Sequence, residues 1–159
     1  MGRYDIAQVC MNGHVISAEV GTNPRSKQPH CDKCGAETIT ECLNCGTAIR
    51  GLYDTQTWGS GSRTYLPPSY CYQCGKPFPW IEKRIRAAVE LSKDAGLSTE
   101  ELSEFEKSLY DVTSDTPSTQ VSASRIKKLL SKVSSETATG IREIIVDILS
   151  TTAKKMILD

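Results

Sequence analysis

Apolar residues recur at intervals of three or four throughout the second half of the chain, as they do on one face of an α-helix. The first such run begins at Pro79 and ends at Ala95, just before Gly96. A proline in the first turn and a glycine after the last turn are typical helix boundaries. The run therefore predicts a helix, with its buried stripe at the following apolar positions: Ile81, Ile85, Ala88, Val89 and Leu91.

A second helix is predicted from Ser98 onward. Glu101 lies three residues after this serine and completes a capping box, and Leu97 is placed to staple onto Leu102. Its expected buried stripe consists of Leu102, Phe105, Leu109 and Val112. Its outer face is acidic, with Glu100, Glu101, Glu104, Glu106 and Asp111.

Residues 113–120 are rich in serine, threonine, aspartate and proline, and we expect a linker that is ordered only in part. A third helix is expected after Ser122, with Val121 stapling onto Ile126. Its apolar positions are Ile126, Leu129, Leu130 and Val133, and its basic positions are Arg125, Lys127, Lys128 and Lys132. A basic helix favours nucleic-acid binding, but the acidic face of the second helix is the better expected partner for it.

A last helix is expected from about Ser135 almost to Asp159. Its apolar residues are Ile141, Ile144, Ile145, Val146, Ile148, Leu149, Ala153, Met156, Ile157 and Leu158. An apolar arc this wide must bury two faces, so we expect one of them to dock on a second copy or a partner protein. Charged residues interrupt the apolar run, namely Asp147, Lys154 and Lys155, so it does not predict a membrane span.

The first half of the chain has short apolar segments in place of helical periodicity. Residues 4–9 and 15–20 read as strands of a hairpin, and a polar loop follows at 21–30. The whole chain of 159 residues has 38% apolar residues and two phenylalanines, which leaves a modest core, and the first half is too rich in loops to build much of it. Metal binding, on the order of 10 to 16 kcal/mol in small zinc domains, can take the place of that core.

The seven cysteines all lie between Cys10 and Cys74 and come in pairs. Three pairs read C-x-x-C-G, a zinc knuckle in which the glycine takes a left-handed backbone beneath the metal, and the fourth pairs Cys10 with His14. Eight such ligands are enough for two tetrahedral zinc ions. We predict one site of Cys10, His14, Cys31 and Cys34, and one of Cys42, Cys45, Cys71 and Cys74.

Several alternatives stay open from the sequence. Disulfides would suit a secreted chain, but Met1 to Asp5 does not resemble a signal peptide, and we expect a cytoplasmic protein. Crossed pairing of the ligand pairs, as in RING-like folds, competes with the favoured tandem pairing. Iron competes with zinc in the second site. His30 competes with His14 as a ligand, although we expect it to be exposed or beside the site.

The order of knuckles and hairpins resembles the double zinc ribbon found in many prokaryotic proteins. The segments Cys10-Met11-Asn12-Gly13-His14-Val15 and Tyr70-Cys71-Tyr72-Gln73-Cys74-Gly75-Lys76-Pro77-Phe78-Pro79-Trp80 resemble those of a family of small bacterial proteins of unknown function. The resemblance implies an N-terminal zinc ribbon and a helical tail. We therefore predict a small metal-stabilised β domain of tandem zinc ribbons at 1–79 and an all-α domain of about four helices at 80–159.

Most of the aromatic residues lie between Tyr53 and Trp80. They are Tyr53, Trp58, Tyr65, Tyr70, Tyr72, Phe78 and Trp80. One interpretation is a small core that joins the ribbons to the helices, with Phe78 and Trp80 as a hinge. The other is a binding face for a protein segment or single-stranded nucleic acid. Its residues would be Arg50, Trp58, Arg63 and Tyr65.

The sequence shows no catalytic constellation. Both predicted zinc sites have four protein ligands, whereas hydrolytic zinc keeps one position for water. We therefore expect a protein without enzymatic activity, an adaptor that binds other proteins and docks or self-associates through its last helix. A nucleic-acid-binding regulator that uses the ribbon aromatics and the basic helix is the main alternative, and a sensor that releases zinc on thiol oxidation is a third. Balanced charge, with nineteen basic and nineteen acidic side chains, argues against a general nucleic-acid binder.

Overall fold

The structure is a computed structural model, and it describes residues 2–54 and 64–159. The chain divides into two compact units, Met1–Trp80 and Ile81–Asp159. The first unit contains every predicted metal ligand, and the second is helical.

The first unit contains five short strands among its described residues: β1 (Arg3–Ile6), β2 (Gln8–Cys10), β3 (Val15–Ser17), β4 (Thr38–Ile39) and β5 (Arg50–Asp54). β2 pairs with β3 and β4 in a three-stranded antiparallel sheet. β1 pairs with β5, so that Tyr4 lies opposite Tyr53, and Ile6 lies opposite Arg50 after a register shift. The predicted segments 4–9 and 15–20 thus form β1, β2 and β3.

The pairing of β1 with β5 goes beyond the predicted hairpin of residues 4–9 and 15–20, which β2 and β3 form. The segment between His14 and Cys31 supplies only β3 and a 3-10 turn at Pro24–Ser26, and the described partner of β5 is the strand that precedes the first ligand pair. β5 also lies close to Ala18, because a Cβ atom added to Gly51 would lie 2.1 Å from the Ala18 carbonyl oxygen. Pairing between distant strands therefore connects the segment that bears the first ligand pair with the segment that follows Cys45.

The second unit contains α1 (Pro79–Asp94, which begins at the end of the first unit), α2 (Thr99–Asp111), α3 (Thr119–Leu130), α4 (Ser135–Ile145) and α5 (Thr151–Leu158). The first two helices follow the predictions. Gly96, two residues after the end of α1, has a positive φ of 94°, as expected for a glycine that stops a helix. The capping box is confirmed, since Ser98 Oγ accepts from the Glu101 backbone N–H and Glu101 Oε2 accepts from the Ser98 N–H.

α3 begins earlier than predicted, and the predicted staple is wrong, since Val121 is 52% exposed. The reason lies in the segment before it, which we expected to be a partly ordered linker. Buried Thr119 donates from its hydroxyl to the Ser114 carbonyl oxygen at 2.8 Å and accepts from the Thr116 N–H at 2.8 Å. These bonds fold residues 114–118 into a turn that starts the helix at Thr119.

The predicted single last helix is two helices. α4 ends at Ile145, a 3-10 turn covers Val146–Ile148, and Ser150 begins α5 by accepting a hydrogen bond from the Ala153 N–H. Leu149 is extended, with ψ of 140°, so the axis changes direction there. The wide apolar arc therefore belongs to two helices, each with one buried face. Six of the expected apolar residues are buried: Ile141, Ile145, Ile148, Leu149, Ala153 and Ile157.

The helical unit has a continuous apolar interior. Large fully buried side chains include Ile81, Ile85, Phe105, Leu109, Ile126, Ile141, Ile145 and Ile157. Arg84 joins α1 to the end of α4, because its Nη1 donates to the Ile144 carbonyl oxygen at 3.0 Å and its Nη2 lies 3.0 Å from Asp147 Oδ2. Among the described residues, no helix has the length and apolar character needed to cross a bilayer.

Candidate metal centres

Each of the four ligand-bearing turns places a glycine N–H on the carbonyl oxygen of its first cysteine, four residues back in the three C-x-x-C-G turns and three residues back in the first turn. In each C-x-x-C-G turn the glycine N–H donates to the carbonyl oxygen of the first cysteine at 2.8 to 2.9 Å. These glycines have φ values of 76° at Gly35, 75° at Gly46 and 74° at Gly75, which confirms the left-handed conformation predicted for them. Gly13, with φ of 94°, makes the corresponding bond to Cys10 in the first turn, at 2.9 Å.

The structure brings Cys10, His14, Cys31 and Cys34 together, with ligand atoms all within 4.8 Å of one another. His14 Nδ1 lies 3.5 Å from Cys10 Sγ and 3.6 Å from Cys31 Sγ, and the sulfurs of Cys10 and Cys34 are 3.7 Å apart. Tetrahedral zinc with bonds of about 2.3 Å to sulfur and about 2.0 Å to nitrogen requires separations of about 3.8 Å and about 3.5 Å. The four residues therefore fit one tetrahedral ion, with His14 binding through Nδ1.

The second group consists of Cys42, Cys45, Cys71 and Cys74, again within 4.8 Å. Two sulfur pairs, Cys42 with Cys74 and Cys45 with Cys71, are each 3.7 Å apart. These separations also fit a tetrahedral thiolate site, and iron and zinc share that geometry. The residues are grouped in sequence order, as in the tandem arrangement. His30 is exposed and belongs to neither group.

Each group is buried on one side and open on the other. The first cysteine of every pair is buried, whereas the exposed second cysteines are Cys34 and Cys45. Burial raises the pKa of the Cys42 thiol to about 11 and also raises that of Cys10. Deprotonation of these two thiols is therefore favoured only when a cation is beside them.

Hydrogen bonds stabilise the outer thiolates. The pKa of Cys34 is lowered to about 6 by the backbone N–H of Ala36 and by Asn12, whose Nδ2 donates to the sulfur at 3.3 Å. The pKa of Cys74 is likewise lowered to about 6, by the backbone N–H of Lys76 and by the side chain of Asn44. Asn12 and Asn44 occupy the same position in their turns, two residues after the first cysteine. Each site thus has an asparagine on one turn that bonds a sulfur of the other.

Trp80 packs between the first site and the end of the last knuckle. Its ring stacks on Phe78 with centroids 4.7 Å apart and planes at 10°, and its Nε1 donates to the Pro68 carbonyl oxygen at 3.0 Å. Its Cβ lies 3.0 Å from the point where a side chain on Gly13 would begin. Phe78 and Trp80 are both buried, so these two aromatics belong to a core of the first unit.

A different set of aromatic residues is exposed around Arg50, and we call it the Arg50 cluster: Tyr4, Arg50, Tyr53 and Tyr72. The Arg50 guanidinium carbon lies 3.7 Å from the centre of the Tyr72 ring and 4.6 Å from that of Tyr4. Tyr4 and Tyr53 make an edge contact with centroids 4.9 Å apart. The cluster joins β1, β5 and the Cys71 knuckle at the surface of the first unit.

The predicted binding face is only partly visible. Trp58 and Arg63 lie outside the described residues. Tyr65 is half-buried and donates its hydroxyl to the Arg50 carbonyl oxygen, and burial raises its pKa to about 12, so its role is to support β5. Sequence reasoning missed Tyr4, because its proximity to Arg50 depends on pairing between strands 46 residues apart. Tyr72 carried a signal, since it is a large aromatic residue inside a knuckle, where the cysteines occupy the interior.

The basic residues predicted for the third helix partly pair with α2, as the charge pattern favoured. Lys132 Nζ lies 2.5 Å from Glu101 Oε1, and Arg125 Nε lies 3.8 Å from Glu104 Oε1. Lys127 and Lys128 are exposed. Two of the four cations in the predicted nucleic-acid helix therefore have an acidic partner inside the chain.

Residues 3–157 match a protein family described as "Uncharacterized protein conserved in bacteria" (DUF2321). The chain belongs to this family. The match spans both units, and it confirms the resemblance to a bacterial family that the ligand motifs indicated. No curated protein and no solved structure matches the chain.

Proposed function

We propose that this member of the family is a non-catalytic adaptor in which two structural zinc ions hold a tandem zinc-ribbon unit. The observation that carries the proposal is the closure of both sites. Each offers four protein ligand atoms at tetrahedral spacing, whereas catalytic zinc keeps one position for water or substrate. The proposal assigns the adaptor to the cytoplasm, where thiols stay reduced and available to metal.

The Arg50 cluster is the surface that we propose for the partner. Tyr4 is 50% exposed, Tyr53 44% and Tyr72 56%, so three large aromatic side chains present about half of their surface to solvent around one arginine. Tyrosine and arginine are the residues most enriched where protein interfaces are tightest. Because Tyr72 belongs to a metal-ligating turn, the second zinc ion would also shape this surface.

Docking through the last helix stays a prediction, and we favour it less than docking on the Arg50 cluster. That prediction needed one apolar face of a long helix to lie uncovered, whereas most of those residues are buried in α4, the 3-10 turn and α5. Val146, Ile144 and Met156 are half-buried, and Leu158 is 38% exposed. We therefore place the partner surface on the metal-bearing unit.

Metal analysis tests the first part of the proposal. The purified chain should carry two zinc ions, and Cys42→Ser should carry one, because three thiolates hold zinc much less tightly than four. A strong chelator should unfold the first unit, since its interior is small. A chain that contains no metal and keeps its fold in the chelator would refute the proposal. An absorption spectrum typical of iron–thiolate bonds would show that the bound metal is iron and not zinc.

A matched pair of surface variants tests the adaptor role. Val121 is 52% exposed and lies in the helical unit, which makes Val121→Ala a control for Tyr72→Ala. A protein that copurifies with the wild type and with Val121→Ala, but is lost with Tyr72→Ala, would support the proposed surface. If both variants keep every copurifying protein, the cluster is not the partner surface. Retention on DNA or RNA at low salt would instead favour the nucleic-acid alternative.

A further inference from the structure

We infer that Arg50 is the centre of a carboxylate-binding site, which holds an acidic side chain of the protein partner. This inference rests on the proposed function and names the chemistry of its surface. The structural observation behind it is the position of one arginine between two exposed tyrosine rings.

At 3.7 Å from the Tyr72 ring centre, the guanidinium carbon is in van der Waals contact with that ring, a distance that suits contact through a flat face of the group and leaves its edge for hydrogen bonding. Arginine carries five N–H donors in the plane of the group, and two of them can bind a carboxylate side by side. Arg50 takes part in none of the ion pairs Arg84–Asp147, Arg125–Glu104 and Lys132–Glu101. Within residues 2–54 and 64–159 we find no carboxylate paired with this edge.

The arginine is held in place from three directions. Its backbone lies in β5 opposite Ile6, and its carbonyl oxygen accepts a hydrogen bond from Tyr65. Tyr72, which covers one face of the guanidinium, is fixed by the knuckle between Cys71 and Cys74. A side chain that is already ordered loses less conformational entropy when a ligand binds, so a single arginine can contribute more here than on a mobile surface.

The charge around Arg50 suits a ligand group with one negative charge. Arg3, on the paired strand, lies opposite Asp54 in the β1–β5 register. The whole unit has seven basic and six acidic side chains, and thiolates bound to zinc add net negative charge. This field opposes a polyanion such as nucleic acid more than it opposes one carboxylate. The Tyr4 and Tyr72 rings also each have one face turned to Arg50, and a nucleic-acid base cannot stack on that face.

The test uses the zinc-loaded full chain and a defined probe. The probe is a capped twelve-residue peptide of alanine and glycine with a single central glutamate, and its control replaces that glutamate with glutamine. Binding is followed by NMR at the Nε–Hε group of Arg50 and at the Tyr72 ring. We expect both signals to shift with the glutamate peptide and to stay in place with the glutamine peptide, because only the carboxylate can accept the bidentate bond.

Variants assign the effect to Arg50. Arg50→Gln should weaken binding of the glutamate peptide by about tenfold or more, as for a central interface arginine. Arg50→Lys keeps the charge but loses the planar fork, so it should also bind more weakly than wild type. Arg25, in the exposed 3-10 turn of the same unit, supplies the matched control, and Arg25→Gln should bind like wild type. The zinc content of each variant shows whether the unit is folded.

The possible results separate this inference from the proposed function. An unmoved Arg50 signal with the glutamate peptide, or equal losses for Arg25→Gln and Arg50→Gln, would overturn the carboxylate site. Tighter binding of a twelve-nucleotide thymidine strand than of the glutamate peptide would also overturn it, in favour of phosphate. In each case two bound zinc ions and Tyr72-dependent capture of a protein would leave the adaptor proposal standing.

Discussion

Replacing Gly13 with alanine should weaken the first metal site more than the same change at any other knuckle glycine. Gly13 has φ of 94°, where an L-residue costs about 1 to 2 kcal/mol relative to glycine. The added Cβ would also lie 3.0 Å from Trp80 Cβ and 3.3 Å from Trp80 Cγ. Trp80 has little room to move, because it stacks on Phe78 and donates to Pro68. Overpacking of this kind adds about 1 to 3 kcal/mol.

Gly35 provides the control in the same site. Its φ is 76°, so alanine meets a similar backbone cost, but no atom lies within 4 Å of the added Cβ. The smaller unfolded-state entropy of alanine applies equally to both variants. The free-energy cost of Gly13→Ala should therefore exceed that of Gly35→Ala by the overpacking contribution alone. Because folding and metal binding are coupled in such a site, this difference corresponds to a loss of zinc affinity of about 5- to 150-fold.

Competition with a chromogenic chelator measures the affinity of each site, and Cys42→Ser versions of both variants isolate the first. We expect wild type to bind most tightly, Gly35→Ala less tightly and Gly13→Ala least. Equal affinities for the two alanine variants would show that Trp80 does not restrain the first turn. The reasoning about close packing between Gly13 and Trp80 would then be wrong.

Three further predictions concern the helical unit. Lys132 and the Ser98 N–H lower the pKa of Glu101, so wild type should be more stable than Glu101→Gln above about pH 4.5. Urea titrations at a series of pH values should show this difference in stability disappear as the pH falls through the lowered pKa. Phe105→Ala should cost about 3 to 5 kcal/mol, since this ring is fully buried. Val121→Ala should stay within about 0.5 kcal/mol in the same denaturation assay. Ser150→Ala should cost about 0.5 to 2 kcal/mol through loss of the α5 cap, and an unchanged midpoint would show that the cap does not matter.

Features that depend on a few neighbouring residues could be predicted from the chain alone. The knuckle glycines have positive φ because the turn beneath a C-x-x-C pair requires it. The Ser98 capping box depends only on the four residues from Ser98 to Glu101. The break at Ser150 also has a local signal, an N-cap serine. The continuous apolar run around Leu149 concealed it, because a wide apolar arc looks the same for one helix with two buried faces as for two helices with one face each.

The candidate metal ligands could be identified from the chain alone, since their chemistry and spacing are local, and so could the residues that start and end the first helices. Tertiary structure decided which distant side chains meet. Pairing of β1 with β5 brings Tyr4 to Arg50, and packing of Trp80 against Gly13 links the first ligand turn to the segment after the last. Such contacts form only when the chain closes loops of tens of residues, and a pattern within a single segment does not predict which distant segment it will meet.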